Sequence, residues 1–380
     1  MLLLLVNAAV AQLDSARWES RAAMPMGVHR TAGCAAGEYF YVMGGYRAPT
    51  TLDSLFRFDV YHNTWTALRN MPFPTSNHCA VFFPPENRIY VFGGSEQVSY
   101  DYVQVYDIIR DSWTVRYMPY PDYGMSAAVV TESIFVVFGQ ELPRRLYRYY
   151  PHTDNWAQRA MLPDTAYQGA MCAVAGKVYY AGGWDSLRVF RRYDPQTNAW
   201  SDLPDLPQGR HGLSLLPVGK RIYLVGGGQR WNTQGDFRNV YCFDVDSGYW
   251  RYDSRMPENH IAGAFGSGVA LTLNWLYASG GYSGTGLTDA AWLPSIGIKE
   301  VPRAAPVSAG ISCQPSPFTH RLTIAARGQS SIDVLNISGQ TVVRLTPESG
   351  VAVWNSAESP AGVYLVRSGP ATALVRKVSR

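Results

Sequence analysis

The sequence predicts an all-β protein, a closed ring of small antiparallel sheets followed by a second, smaller β domain. Three observations carry that expectation. An apolar run ending in glycine recurs six times: EYFYVMGG ends at Gly45, RIYVFGG at Gly94, IFVVFGQ at Gln140, KVYYAGG at Gly183, RIYLVGG at Gly227 and WLYASGG at Gly281. The steps of 49, 46, 43, 44 and 54 residues fall in the range where each unit is one four-stranded blade of a propeller. A second marker runs in phase, because FRFDVYHNTW, VYDIIRDSW, YRYYPHTDNW, RRYDPQTNAW and YCFDVDSGYW lead to Trp65, Trp113, Trp156, Trp200 and Trp250, each 16 to 23 residues after the glycines. Third, 47% hydrophobic and 13% aromatic residues against 16% charged ones supply a large core, consistent with an all-β extracellular protein.

Within one unit the glycines belong at the end of the second strand, where sheets crowd toward a common axis and a Cβ would collide or demand the wrong φ. The tryptophan belongs on the fourth strand, filling the widening gap between neighbouring sheets. Met71-Pro72, Met118-Pro119, Leu203-Pro204 and Met256-Pro257 follow, and a residue without an N–H suits the crossing to the next sheet. The run GGGQRW at 226–231 is not a phosphate cradle, because WNTQGDFRN after it carries no helical period.

Double glycine plus tryptophan resembles the kelch repeat over about residues 18–295. Two copies depart: Gln140 stands for the second glycine of the third, and the sixth lacks its tryptophan, Trp292 coming only 11 residues after Gly281. Trp18, in ARWESRAAMP, reads as a fourth strand with no earlier partners, so the N-terminal strand is expected to complete the last of six blades. Closure of this kind leaves no unpaired radial edge.

A net charge of +4 over 380 residues without a Lys/Arg-rich run argues against nucleic acid. The cysteines form no evident disulfide framework: Cys34 and Cys172 share an offset in opposite blades, while Cys79, Cys242 and Cys313 have no mates, and buried small hydrophobes are the favoured reading. No CxxC spacing indicates zinc, and neither metal nor cofactor is expected.

MLLLLVNAAVAQ resembles the remnant of a secretory signal over residues 1–11, with Ala9-Val10-Ala11 before Gln12. The propeller is then assigned to 12–298, a Pro/Ala linker to 299–312 and the small β-sandwich to 313–380. That last segment resembles the type IX secretion sorting domain of Bacteroidetes: Pro315 to Phe318 match its PxPF, Gly339 its turn glycine, and Ala361-Gly362-Val363-Tyr364 its AGVYL. An ordinary adhesive sandwich is the alternative. The resemblance implies the type IX machinery as a partner and an extracellular or outer-membrane-surface address after export through the periplasm, with no membrane span.

In a four-stranded antiparallel blade, the segment leading into strand one and the loop leaving strand two open on the same face, so both line one central mouth. Counting back 15 or 16 residues from the glycine anchors reaches His29, His78, Tyr123, Tyr167 and His211. Counting forward past the glycines gives Tyr46, Ser95, Glu96, Glu141, Trp184, Asp185, Gln229, Arg230 and Tyr282. In kelch proteins that bind at this mouth such offsets carry the contacts, and aromatic faces with a few charges suit a glycan or a peptide. A second function class stays open, an epimerase or mutarotase resembling bacterial kelch-type sialic-acid epimerases. It needs a carboxylate and a base on one ligand, for which Glu96, Glu141, Arg230 and His211 are the candidates. A copper radical site like that of galactose oxidase is disfavoured, since that family has seven blades and a cysteine–tyrosine crosslink. Hydrolytic sialidases are opposed by the absence of SxDxGxTW.

Overall fold

The computed structural model describes residues 18–95, 98–185, 187–229, 237–256, 268–272, 275–279, 288–292, 311–314, 321–326, 331–335, 341–348, 351–356, 359, 362–368 and 371–377. The chain divides into two compact units, Met1–Leu293 and Pro294–Arg380.

The first unit is a six-bladed propeller of four-stranded antiparallel sheets. Blade one comprises Ala32–Ala36, Tyr39–Met43, Leu55–Asp59 and Thr64–Ala67; blade two Cys79–Phe83, Arg88–Phe92, Tyr100–Asp107 and Ser112–Asp122; blade three Ser126–Val130, Ser133–Val137, Leu146–Tyr150 and Asn155–Gln158. Blade four comprises Ala170–Val174, Lys177–Ala181, Phe190–Asp194 and Ala199–Asp202; blade five His211–Val218, Arg221–Gly228, Asn239–Asp244 and Tyr249–Arg255; blade six Gly268–Thr272, Trp275–Ser279, Thr288–Trp292 and, as its outermost strand, Trp18–Arg21. The register Trp18↔Ala291 through Arg21↔Thr288 is the expected closure. The innermost strands neighbour one another in ring order, blade one lying against both blade two and blade six.

The innermost strands are small because six of them converge on the axis: AGCAA, CAVFF, SAAVV and AMCAV leave room where larger side chains would collide. The wide end is filled by the tryptophans, and each is also a hydrogen-bond bridge. The Nε1–H of Trp65, Trp113, Trp156, Trp200 and Trp250 donates to the carbonyl of Ala22, Arg69, Tyr117, Ala160 and Pro204, just past or at the outermost strand of the preceding blade, at 2.8 to 3.1 Å. The turn before it is set by the aspartate that closes strand three: Asp59, Asp107, Asp194 and Asp244 accept backbone N–H groups two or three residues on.

Register corrects one assignment. In the third copy Phe138 occupies the first glycine position, since its N–H bonds Arg145 O as Gly44, Gly93 and Gly182 bond Ser54, Tyr102 and Val189. The second glycine is therefore Gly139, and Gln140 is the loop residue that follows it.

The second unit is a β-sandwich. One sheet orders Ile311–Gln314, Arg321–Ala326 and Val351–Asn355; the other orders Thr341–Leu345, Ile332–Leu335, Gly362–Ser368 and Ala371–Lys377. Leu322, Ile324 and Trp354 of the first meet Ile332, Val334, Tyr364 and Val366 of the second in one core. Strand one begins at Ile311, inside the segment read as linker. Pro315–Phe318, Gly339, Ala361 and residues 1–11 lie outside the described residues. Among the described residues no helix is long and apolar enough to cross a membrane.

Candidate functional site at the propeller mouth

Each of blades one to five enters its innermost strand through one residue in the left-handed region: Arg30 (φ 61°), Asn77 (53°), Gly124 (69°), Gln168 (58°) and Gly212 (60°). That turn swings the N–H sideways onto the blade before it. Asn77 N donates to Arg30 O at 3.1 Å, Gly124 N to Asn77 O at 2.7 Å, Gln168 N to Gly124 O at 2.9 Å and Gly212 N to Gln168 O at 2.7 Å. The result is a belt of backbone hydrogen bonds around the axis over five blades. Below it the innermost strands line a cavity of about 440 Å³.

Immediately outside the belt, lead-in and exit segments pair as the parity argument requires. His29 pairs with Tyr46, Ser76 with Ser95 and His211 with Gly228, while Gln140 N donates to Tyr123 O and Trp184 N to Tyr167 O. The side chains build an aromatic arc over three blades: Tyr123 to Tyr167 (5.7 Å between centroids), Tyr167 to Trp184 (6.0 Å) and Trp184 to His211 (4.3 Å). On the far side His29 meets Tyr46 edge-on at 5.4 Å, and Arg30 lies over the Tyr46 ring at 5.3 Å.

A polar network runs beneath the arc. His211 Nδ1 lies 3.1 Å from Gln168 Oε1, and Gln168 Nε2 donates to the Tyr167 hydroxyl at 3.3 Å. Burial, with Tyr123 beside it, pushes the Tyr167 phenol up to about 12; the Arg30 charge, from the opposite blade, acts against that shift. Burial, then the Glu141 carboxylate, raises Tyr123. Glu141 is exposed and accepts from Ser99 Oγ of blade two at 2.8 Å.

Of the residues expected at the mouth, His29, Tyr46, Tyr123, Tyr167, Trp184 and Ser95 stand on its rim, and Glu141 and Asp185 lie on its loops. Gln229 reaches back to Gly209 O at 3.0 Å. His211 is in place but fully buried under Trp184. His78 is a correction, because Ser76 holds the rim position of blade two. The first hairpin of that blade spans four residues between Phe83 and Arg88, around the 3₁₀ turn Pro84–Glu86, where blade one has two between Ala36 and Tyr39. A count back of 15 from the glycine therefore stops two residues short. His78 instead lies between blades, its Nε2 3.1 Å from Met43 O and its Cε1 under Gly44. Glu96, Arg230 and Tyr282 lie outside the described residues.

Burial pushes His78 down to about 4. A histidine depressed in the folded state contributes stability that is complete above its ordinary value of 6.5 and is lost as pH falls toward 4. Acidification from pH 7 to 4 is expected to remove on the order of 3 kcal/mol through this residue. Urea melts of wild type and His78→Gln across that range check it: the variant should show the smaller pH dependence, and parallel profiles contradict the assignment.

Several residues that shape the mouth carried no signal in the sequence. Asp122 is fully buried, and its carboxylate accepts the N–H groups of Tyr123, Gly139, Glu141 and Leu142 at 2.7 to 3.2 Å. Burial lifts its pKa above the ordinary carboxylate value against the pull of those four amides. Arg210, also fully buried, donates to the carbonyls of Gly226, Phe237 and Asn239 and to Gln208 Oε1. Among the described residues no group of His, Cys, Asp or Glu is placed to hold a metal ion.

A closed ring of six four-stranded blades, belted by backbone hydrogen bonds about its axis, is the architecture of a β-propeller. The family model described as KLHDC2/KLHL20/DRC7 Kelch-repeats domain matches residues 28–227, and the chain belongs to the kelch-repeat family. It is 30% identical over 168 residues to Kelch-like protein 35 of Mus musculus, covering 43% of this chain and 29% of that protein. It is 26% identical over 157 residues to Kelch-like protein 23 of Homo sapiens (39% and 27%) and 30% identical over 141 residues to Kelch repeat and BTB domain-containing protein 2 of Homo sapiens (35% and 21%). The chain thus spans less than a third of the length of these curated relatives.

Proposed function

We propose that the propeller is a secreted or cell-surface binding module that takes an acidic peptide or glycan at its mouth, with Arg30 supplying the charge and Tyr123, Tyr167 and Trp184 the stacking surface. One observation carries this. The belt position is left-handed in blades one to five, a conformation suited to Gly and Asn, yet blades one and four place Arg30 and Gln168 there. Gln168 is buried and uses its amide on His211 and Tyr167, so it supports the rim; Arg30, only partly buried over the Tyr46 ring, is a long charged side chain held in an unfavourable backbone region at the axial opening, the arrangement expected where a ligand is read. A buried His211 beneath Trp184 favours binding over the epimerase, whose base would have to reach the sugar.

Arg30→Gly separates the two roles. Relief of the left-handed strain offsets the added chain entropy, so stability is expected to stay within about 1 kcal/mol of wild type. Binding is expected to weaken by roughly 1.5 to 3 kcal/mol, the scale of a charge-assisted hydrogen bond. The full chain probed on peptide and glycan arrays identifies the ligand, and isothermal titration then compares the variant; equal affinities remove Arg30 from the site. Carboxylate-bearing glycans alone on the array select the glycan, and acidic peptides alone select the peptide.

The same reading takes residues 313–380 as the sorting domain for export by the type IX route, on the motif resemblance and the sandwich fold. A chain ending before residue 299 is expected to fold and to accumulate in the periplasm, as fractionation and protease accessibility would show. Normal yield at the surface or in the medium contradicts the sorting role.

A further inference from the structure

In blades one, two, three and five the residue two before the belt position faces the glycine turn of its own blade, whereas blade four has the core residue Ala166 there. Val28 packs against Gly45. Thr75 Oγ1 donates to Gly93 O at 3.0 Å. Asp122 collects N–H groups of the loop after strand two of blade three, and Arg210 collects carbonyls of the corresponding loop in blade five. We propose that a polar residue at this position sets the shape of the mouth loop in its blade, and that Asp122 is the positioning residue that holds Gln140 and Glu141 on the rim. The proposal rests on the mouth being the binding site, and it names what determines the form of that site.

Blade three shows why an acid is needed. In blades one, two and four the second glycine donates its N–H to a carbonyl of the segment that leads into the next blade, Gly45 to Thr75 O, Gly94 to Asp122 O and Gly183 to Arg210 O. Gly139 instead donates to the side chain of Asp122, at Oδ2, in the segment that leads into its own blade. The second glycine has lost its tie to the following blade, although Leu162 N still donates to Arg144 O further along the loop, and the N–H groups at the start of the loop converge on one anion as in a backbone nest. Two oxygens that accept four bonds fix the loop closely enough for exposed Glu141 to reach Ser99 of blade two. An amide in place of the carboxylate keeps one acceptor oxygen and turns an NH₂ toward the remaining N–H groups, so Asp122→Asn should release the loop with little change in volume.

Amide hydrogen exchange on the full chain tests this without any ligand, so failure of the binding reading leaves the test intact. In the wild type, the amides of Glu141 and Leu142 should be protected although Glu141 is exposed; exchange at the rate of free loop amides overturns the proposal even if no variant folds. In Asp122→Asn, exchange at Gly139, Glu141 and Leu142 should accelerate at least tenfold, while Gly182 and Gly183 of blade four keep their protection. Unchanged exchange in the loop, or equal acceleration in all blades, overturns the positioning role.

Discussion

Deleting residues 12–25 is expected to lower the thermal midpoint of the propeller by roughly 10 °C, from a loss of about 3–5 kcal/mol spread over a large cooperative unit. Three losses combine. The third strand of blade six, Thr288–Trp292, becomes an edge. Trp18, only 7% exposed, leaves its pocket together with the indole N–H that reaches Ser254 Oγ of blade five at 3.4 Å. Trp65 loses its acceptor, the carbonyl of Ala22, so blade six loosens at both of its seams, toward blade five and toward blade one. Trp18→Ala alone should reproduce most of the effect, since truncation of a buried tryptophan costs about 3–5 kcal/mol. Ser20→Ala, on the same strand but exposed, should stay within about 0.5 kcal/mol of wild type. Calorimetry of the three variants decides: a midpoint unmoved by the deletion means the ring does not depend on its latch.

The latch was legible because its signal is a large residue with one topological job. Trp18 sits in the phrase that ends in Met24-Pro25, as the other tryptophans precede Met71-Pro72 and Met118-Pro119, and a repeat exposes what is missing from its last copy. The glycine pairs were legible for a related reason. A Cβ on Gly44 would meet Thr75 O at 2.6 Å, and one on Gly94 would meet Thr75 Oγ1 at 2.1 Å, so the position tolerates nothing else. Where the constraint falls on only one of the two positions the pattern blurs, and Phe138 shifted the count in blade three.

The mouth was harder to read because its positions are fixed by register while a count along the chain accumulates every insertion. Two extra residues in the Phe83–Arg88 hairpin turned Ser76 into His78. The belt and the loop-setting position escaped for a deeper reason. Arg30, Asn77, Gly124, Gln168 and Gly212 share a φ and a hydrogen bond but no chemistry, and Val28, Thr75, Asp122 and Arg210 share a place but satisfy opposite kinds of partner. Equivalence of geometry without equivalence of residue type leaves no trace in a repeat search.

Arg210 is where that hidden position carries the most energy. Its guanidinium is fully buried and donates to Gly226 O at 2.9 Å, Phe237 O at 3.1 Å and Asn239 O at 2.7 Å, besides Gln208 Oε1 at 2.7 Å. The rings of Phe237 and Tyr241 lie 5.8 and 5.5 Å from its central carbon. Arg210→Met fills most of the volume but leaves three carbonyls inside without their donor, each worth about 1–3 kcal/mol when buried unsatisfied. Water entering the space left by the fork recovers part of that, so the net loss is expected at about 3–5 kcal/mol. Lysine should not rescue it, because one ammonium lacks the planar fork that spans three separated acceptors. Arg110 supplies the contrast: its 2.8 Å pair with Asp107 is as short, but its side chain is 73% exposed, and an exposed pair contributes about 0–1 kcal/mol. Urea denaturation of Arg210→Met, Arg210→Lys and Arg110→Ala at one pH measures the difference directly. If Arg110→Ala destabilises as much as Arg210→Met, burial is not what gives Arg210 its weight, and the loop between strands two and three of blade five must be held by something else.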